Sequence, residues 1–223
     1  PQRSHRNHNF LQVCRPYLLV CIIGGCLLSF SGPYVGINLT AAGIELDGQH
    51  TDNTGDKQGD VTKGTGGKVS EIGGFELGFS KAMGSNFTLG LGATYIPGEA
   101  SISKGDDAAD AADVELRAEN FITGYVMAQY AVSDTSALYA KLGQASSGIK
   151  VIGDATGKPN DLQGSLIAVG SKSKIGERLF IATEAGMIEY DTITLTGIGG
   201  EAADTLKGDP KLAYGTVTIG LQF

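Results

Sequence analysis

The sequence predicts an all-β fold, namely an eight-stranded antiparallel up-and-down transmembrane β-barrel. Apolar and polar residues alternate with a period of two in eight segments, which is typical of strands with one apolar face. Long and short connections alternate between these segments, as a membrane barrel requires. Beyond the N-terminal region, no apolar run is long enough to form a membrane helix, so a membrane-spanning chain of this kind must close into a barrel.

Length and charge narrow the function classes. A chain of 223 residues is long enough for one barrel, and its 34 glycines, 6 prolines and absence of tryptophan are compatible with a sheet protein. The formal net charge is −7, and the first 31 residues contain no acidic side chain, so the remainder is more acidic than the whole. The acidic part of the chain after residue 31 is not expected to bind nucleic acid, because a protein binds the phosphate backbone mainly through Lys and Arg.

The N-terminal region predicts a secretory signal peptide or N-terminal extension over residues 1–31, with the barrel domain over residues 32–223. Arg3, Arg6 and Arg15 are followed by an apolar stretch at 17–28 and by small residues on either side of Phe30, which is the pattern of a signal sequence. A retained anchor helix and a lipoprotein box ending at Cys26 are the alternatives. All three cysteines lie in the first 26 residues, so neither a disulfide framework nor a cysteine zinc site is expected in the barrel.

The C-terminal segment gives the clearest strand. It reads KLAYGTVTIGLQF, and every second residue back from Phe223 is apolar or small, as in Leu221, Ile219 and Val217. The residues between them are small, polar or amphipathic, so one face is expected to contact lipid and the other to line the interior.

The remaining strands follow in order from the same alternation. Val35, Ile37 and Leu39 define the first strand, and the sixth is the least regular because Leu166 to Val169 are all apolar. The predicted strands are 33–46, 69–82, 87–96, 114–132, 137 onward, 162–174, 179–194 and 211–223.

Four long polar connections (47–68, 97–113, 152–161 and 197–209) alternate with three short turns (83–86, 133–136 and 175–178). All short turns then lie on one rim, which is the periplasmic rim of a membrane barrel, and four acidic loops lie outside the cell. A soluble lipocalin-like barrel needs no such order. Calcium binding by the first loop is an alternative to a solvated loop, although its acids lack the spacing of a calcium loop: Asp47, Asp52, Asp56 and Asp60.

Three segments resemble the small eight-stranded outer-membrane barrels of the OmpA transmembrane-domain type. They are GPYVGI from Gly32, YAVSDTSALYAKLG from Tyr130 and YGTVTIGLQF from Tyr214. The resemblance implies an antiparallel barrel in the outer membrane of a Gram-negative bacterium. It also implies that the terminal Phe223 is the signal read by the barrel-assembly machinery.

Charged residues on the inward parity predict an ion-pair network inside the barrel. Glu76, Lys141 and Glu184 fall in mid-strand, where a lysine facing lipid would cost about 2–4 kcal/mol. Lys172 and Arg117 are expected to join them. The network either plugs the lumen, with its charges neutralised in pairs, or acts as a gate on a narrow water path.

No catalytic constellation is apparent, so the chain is not expected to be an enzyme. His50 is the one histidine after residue 31, and no Gly-x-Ser-x-Gly elbow occurs. Asp106 and Asp107 are adjacent in sequence and would point apart. No cofactor and no metal are expected.

The sequence therefore predicts a non-enzymatic outer-membrane barrel with an envelope structural or surface-interaction role. The alternatives are a small-solute channel and a soluble periplasmic barrel that binds an apolar ligand. Expected partners are outer-membrane lipid, lipopolysaccharide and, through the C-terminal strand, the assembly machinery, and the barrel is expected to be a monomer.

Overall fold

The computed structural model describes residues 30–51, 59–103, 115–152, 161–196 and 205–223. The predicted signal peptide lies outside these residues except for Phe30 and Ser31. Asp52 and Asp56 of the calcium alternative, and Asp106 and Asp107, also lie outside them. Within the described part of the chain, no helix is long and apolar enough to cross a membrane.

Nine strands form one closed antiparallel sheet. From β1 to β7, each strand pairs with the next one along the chain, and the last, β9, pairs with β7, β8 and β1 and so closes the ring. β7 and β8 pair with consecutive parts of β9 and together occupy one strand position in the barrel wall, which we call a stave. The barrel therefore has eight staves, and the predicted fold class is confirmed. The strands are β1 Gly32–Thr51, β2 Val61–Ala82, β3 Phe87–Ser103, β4 Glu115–Ala131, β5 Ser136–Ile152, β6 Leu162–Ile175, β7 Leu179–Tyr190, β8 Ile193–Thr196 and β9 Thr205–Gln222.

The three short turns and the C-terminus meet on one rim, called here the short-turn rim. The opposite rim is called the loop rim. In the turn between β4 and β5, the Ser133 hydroxyl accepts a hydrogen bond from the backbone N–H of Ser136 at 3.0 Å. Gly176 supplies the turn between β6 and β7 with a φ of +79°, which glycine adopts without strain. The N–H of Phe223 donates to Pro33 O at 2.9 Å and ties the C-terminus to the start of β1.

The strands on the loop rim are longer than the sequence predicts. Much of the predicted loop 47–68 is a hairpin, in which β1 continues to Thr51 and pairs through to Val61 of β2. β3 also runs to Ser103, and β9 already starts at Thr205. These extensions carry polar residues on both faces, so they show no apolar alternation, and backbone pairing alone identifies them as strands.

The outer surface carries an apolar band, as a lipid-facing wall requires. Its members are exposed large apolar side chains, whereas the same parity turns polar toward the loop rim at Glu45, Glu71 and Lys211. A water-facing protein rarely shows so large a contiguous apolar surface. The band includes Val35, Ile37, Leu39, Phe75, Leu77, Phe79, Leu89, Leu91, Tyr95, Ile122, Val126, Tyr130, Leu138, Leu142, Ile167, Val169, Met187, Val217, Ile219 and Leu221.

A bulge in β4 reverses the inward and outward parity of that strand. The ladders to β3 and β5 are both irregular next to Glu119, and Asn120 has a φ of +51°. Tyr125 and Phe121 face inward on the short-turn side of the bulge, but Ala118 faces inward beyond it. Arg117 therefore points to the outside, and its predicted place in the interior network is wrong.

The wall opens between β2 and β3 toward the loop rim. Their ladder ends at the pair Phe75 and Tyr95, although both strands continue. Pro97 has no N–H to donate and Gly98 has a φ of +117°, so β3 turns away at this point and follows β4. We call the opening beyond Phe75 and Tyr95 the β2–β3 slit.

Candidate functional site

An ion-pair network lies across the middle of the barrel. Lys141 Nζ on β5 lies 2.6 Å from Glu76 Oε1 on β2 and 2.7 Å from Glu184 Oε2 on β7. The three side chains come from three different strands and are more than nine-tenths buried. They face inward because each lies on the parity opposite to the apolar band.

Tyrosines complete the network. The Tyr125 hydroxyl donates to Glu76 Oε1 and accepts from Tyr34, whose oxygen is 2.9 Å away. The Tyr214 hydroxyl donates to Glu184 Oε1 at 2.7 Å. Lys141 Nζ also lies 4.1 Å from the centre of the Tyr125 ring. These donors satisfy the carboxylate oxygens, as buried charges require if their desolvation is to be offset.

The half of the lumen on the short-turn side is filled by large side chains. Lys172 Nζ donates to Gln222 Oε1 at 2.6 Å and lies 3.8 Å from the Phe180 ring centre and 4.6 Å from that of Tyr34. The structure thus places Lys172 in the interior as predicted, with an amide and two rings as its contacts and not a carboxylate of the network.

Phe30 closes the base of the barrel. It is 1% exposed and packs with Ala131 and Ala137, and its carbonyl accepts a hydrogen bond from Ser80 at 2.6 Å. Residue 30 belongs by these contacts to the folded barrel, although the sequence assigns it to the N-terminal region. The prediction that residues 1–31 form a signal peptide or extension otherwise stays a prediction.

The half of the lumen on the loop side contains a cavity of about 70 Å³, which is not fully enclosed and is partly open to the surroundings. We call it the upper cavity. Its walls are mostly apolar, and its floor is the ion-pair network with Tyr125 and Tyr214. The apolar wall residues are Ala42, Ile44, Ile72, Ile96, Ala118, Phe121, Leu166, Ile188 and Leu212.

The upper cavity reaches the β2–β3 slit. Ser70 and Ile72 line it from β2, and Thr94 and Ile96 line it from β3. These residues flank the end of the β2–β3 ladder at Phe75 and Tyr95. The slit lies at the loop-side edge of the apolar band, since Tyr95 is exposed and apolar while Glu71 on the same wall is polar.

The apolar upper cavity was missed by sequence reasoning, although β1 carries a readable signal. Apolar residues of β1 occupy odd positions up to Leu39 and even positions at Ala42, Ile44 and Leu46. A shift of parity within an uninterrupted strand means that the apolar side changes from lipid to lumen.

An exposed charge cluster lies on the outside of the barrel beyond the apolar band. Glu99 accepts hydrogen bonds from Lys150 at 3.1 Å and from Arg117 at 3.2 Å. The hydrogen bond from Lys150, followed by that from Arg117, lowers the pKa of Glu99, and the bond to Glu99 raises the pKa of Lys150. This cluster, and not the lumen, is where Arg117 forms its ion pair.

The other predicted residues lie as follows. Phe223 directly follows β9, with its ring exposed and on the parity of the apolar band, and its role as an assembly signal stays a prediction. His50 lies in the extended part of β1 and is the one histidine among the described residues. Among those residues, no group of three or more His, Cys, Asp or Glu side chains could hold a metal ion.

Closure into eight staves, the apolar outer band and the buried charges in the middle of the lumen define the class of protein: an eight-stranded transmembrane β-barrel of the outer-membrane type. The predictions of such a barrel and of an outer-membrane location agree with these observations.

Comparisons with known proteins agree on the fold. No family model and no curated protein matches the sequence. Among solved structures, the outer membrane protein OprG from Pseudomonas aeruginosa is similar, with a TM-score of 0.56 at 15% identity over 87% of this chain and 97% of that one. This likeness shows the fold alone.

Two further solved structures are less similar to this chain. Ail, the attachment invasion locus protein of Yersinia pestis, has a TM-score of 0.46 at 10% identity, covering 86% of this chain and 99% of that one. The outer membrane protease OmpT from Escherichia coli has a TM-score of 0.46 at 9% identity, covering 86% of this chain and 97% of that one. Neither likeness bears on function.

Proposed function

We propose that the protein is a non-enzymatic outer-membrane barrel that admits small apolar molecules from the loop side and releases them sideways through the β2–β3 slit. One observation carries the proposal: the upper cavity is apolar, is closed below by the ion-pair network and continues to the slit. A straight path for ions would need a wet, polar lumen from rim to rim. This lumen offers apolar walls and a lateral exit instead.

The closed short-turn half supports release into the membrane and argues against release below it. A molecule in the upper cavity meets Lys141 with its two carboxylates, and beneath them the side chains of Phe180, Tyr34 and Phe30. Separating the ion pairs would leave buried charges without partners, at a cost of about 3–5 kcal/mol. Leaving through the slit requires no such step.

An envelope structural or surface-interaction role is the second candidate. It is favoured by the polar sheet that β1, β2 and β9 extend beyond the apolar band. Outer-membrane lipid, lipopolysaccharide and, through β9 and Phe223, the assembly machinery are the partners of this proposal. The extended sheet and the upper cavity can serve the two roles at the same time.

The test of apolar binding uses NMR of isoleucine methyl groups in lipid nanodiscs. Ile44, Ile72 and Ile188 line the upper cavity, whereas Ile37 and Ile219 face lipid and report partition into the bilayer. Methylcyclohexane is expected to shift the cavity methyl signals saturably while the lipid-facing ones change linearly. Equal, linear changes in both sets would refute a binding cavity.

A matched pair of variants localises the effect. Ala42 lines the upper cavity, and its neighbour Ala41 points to the outside. We expect Ala42→Phe to abolish saturable binding, because the ring fills the cavity, and Ala41→Phe to leave it unchanged. Equal loss in the two variants would point to a general effect on the fold.

The lateral exit has its own test. Residues 32–223 contain no cysteine, so Glu71→Cys with Pro97→Cys provides a specific pair on the two strands that border the slit, at exposed positions that do not line the upper cavity. Joining them with a short bismaleimide should leave methylcyclohexane binding intact but slow its exchange between cavity and bilayer. Unchanged exchange after complete cross-linking would exclude the slit as the exit.

A further inference from the structure

The floor of the upper cavity is polar, in contrast to its walls. Around the ion-pair network lie Asn38 and five threonines that also line the cavity: Thr40, Thr94, Thr123, Thr216 and Thr218. Thr40 and Thr216 already share a hydrogen bond of 2.7 Å. An occupant therefore meets apolar side chains along its body and polar groups at its lower end.

Asn38 presents a buried acceptor without a partner. Its side chain is 7% exposed, and its Oδ1 has no hydrogen-bond partner among the described residues. The facing position on β2 is Gly74, where a methyl group would come within 2.8 Å of Asn38 Oδ1. Glycine thus leaves room for the amide at the lower end of the β2–β3 slit. A buried acceptor of this kind is costly unless it receives a hydrogen bond.

The charges of the floor select against anions. At the floor, Glu76 and Glu184 share the cation Lys141, and the other lysine of the lining, Lys68, lies farther along β2 toward the loop rim. The floor is therefore net negative where an occupant would touch it. A carboxylate head group would be repelled and would also offer no hydrogen to Asn38, whereas a hydroxyl or ammonium group has a hydrogen to donate.

We propose that the upper cavity binds small amphiphiles whose head group donates a hydrogen bond to Asn38 Oδ1, with the apolar body directed toward the loop rim. The inference rests on the proposed function, which it deepens by naming the ligand class: compact apolar bodies that carry a hydroxyl or amino group, and not a carboxylate. Head-down binding also places the polar group at the slit, next to Gly74.

The experiment compares four ligands with the same carbon skeleton by the isoleucine methyl shifts: methylcyclohexane, cyclohexylmethanol, cyclohexylmethylamine and cyclohexanecarboxylate. Their partition into empty nanodiscs is measured separately and subtracted. The alcohol and the amine are expected to bind roughly three- to tenfold more tightly than methylcyclohexane, as one added hydrogen bond allows. The carboxylate is expected to bind more weakly than all three.

Two variants assign the preference to Asn38. Asn38→Leu should keep methylcyclohexane binding and lose the preference for the alcohol. Gln129→Leu is the control, because Gln129 is a buried amide whose two polar atoms likewise lack partners but which does not line the upper cavity. It should bind all four ligands as the unaltered protein does.

Failure of this inference differs from failure of the proposed function. Equal affinity for methylcyclohexane and cyclohexylmethanol, tightest binding of the carboxylate, or an unchanged preference in Asn38→Leu would overturn the amphiphile proposal while leaving apolar binding in place. Absence of saturable methylcyclohexane binding would overturn the proposed function, whatever the head groups do.

Discussion

At the scale of single residues, the inward position of Lys141 follows from the alternation of side chains along a β-strand. A strand that keeps its pleat places every second residue on the same side, so a lysine opposite Leu138 and Leu142 must point inward. Parity alone likewise places Glu76 and Glu184 inside. That the three meet at 2.6 and 2.7 Å also depends on strand stagger, which a single sequence does not contain.

The network makes a quantitative prediction for Lys141→Met. Removing the lysine leaves Glu76 and Glu184 as two buried carboxylates without a cation, and we expect the free energy of unfolding to fall by about 3–5 kcal/mol. Urea unfolding in lipid vesicles measures it. The neutral triple variant Glu76→Gln, Lys141→Met, Glu184→Gln should regain most of the loss, and a fall as large as that of the single variant would contradict the ion-pair explanation.

At the scale of elements, β4 shows where strict alternation fails to predict which side chains face inward. The sequence indicates no break between Arg117 and Tyr125, yet the bulge next to Asn120 shifts the outward side by one residue. Asparagine tolerates a positive φ better than most residues, but an isolated asparagine is too common to signal a bulge. The wrong prediction that Arg117 faces the interior follows from this single extra residue in β4.

The bulge gives the second prediction. At a φ of +51°, a β-branched side chain is strained, so Asn120→Val should destabilise the barrel by about 1–2 kcal/mol. Asn120→Gly, which accepts this backbone freely, is the control and should cost much less, although it also loses the hydrogen bond from Tyr95 at 3.2 Å. Equal effects in urea unfolding would mean that the lost hydrogen bond, and not the backbone, determines the stability.

At the scale of the whole molecule, the regular order of strands, short turns and long loops was sufficient to predict the closed barrel of eight staves. Lipid on the outside imposes an alternation that survives in a single sequence. The hairpin beyond Asp47 and the slit beyond Tyr95 were not predicted, since water on both faces removes that alternation and strand separation depends on geometry between chain segments. The apolar upper cavity corresponds in the sequence to the shift of apolar residues from odd to even positions within β1.

The closed lumen gives the third prediction, which concerns conductance. Refolded protein in a planar bilayer is expected to show no discrete single-channel steps, because the network and the packing around Phe30 block the path. Phe30→Ala should remain silent, since Lys141 and its carboxylates are still in place. Reproducible steps from the unaltered protein would favour the small-solute channel instead.

The end of the β2–β3 ladder also sets how deeply the barrel can be immersed. Beyond Phe75 and Tyr95, the facing edges of β2 and β3 have no ladder partner in each other, and hydrocarbon cannot hydrate their N–H and C=O groups. Each such group would cost several kcal/mol in the bilayer core. Lipid head groups and their water must therefore begin at about the level of Tyr95, so the β2–β3 slit opens into the head-group layer of the membrane and not directly into its hydrocarbon core.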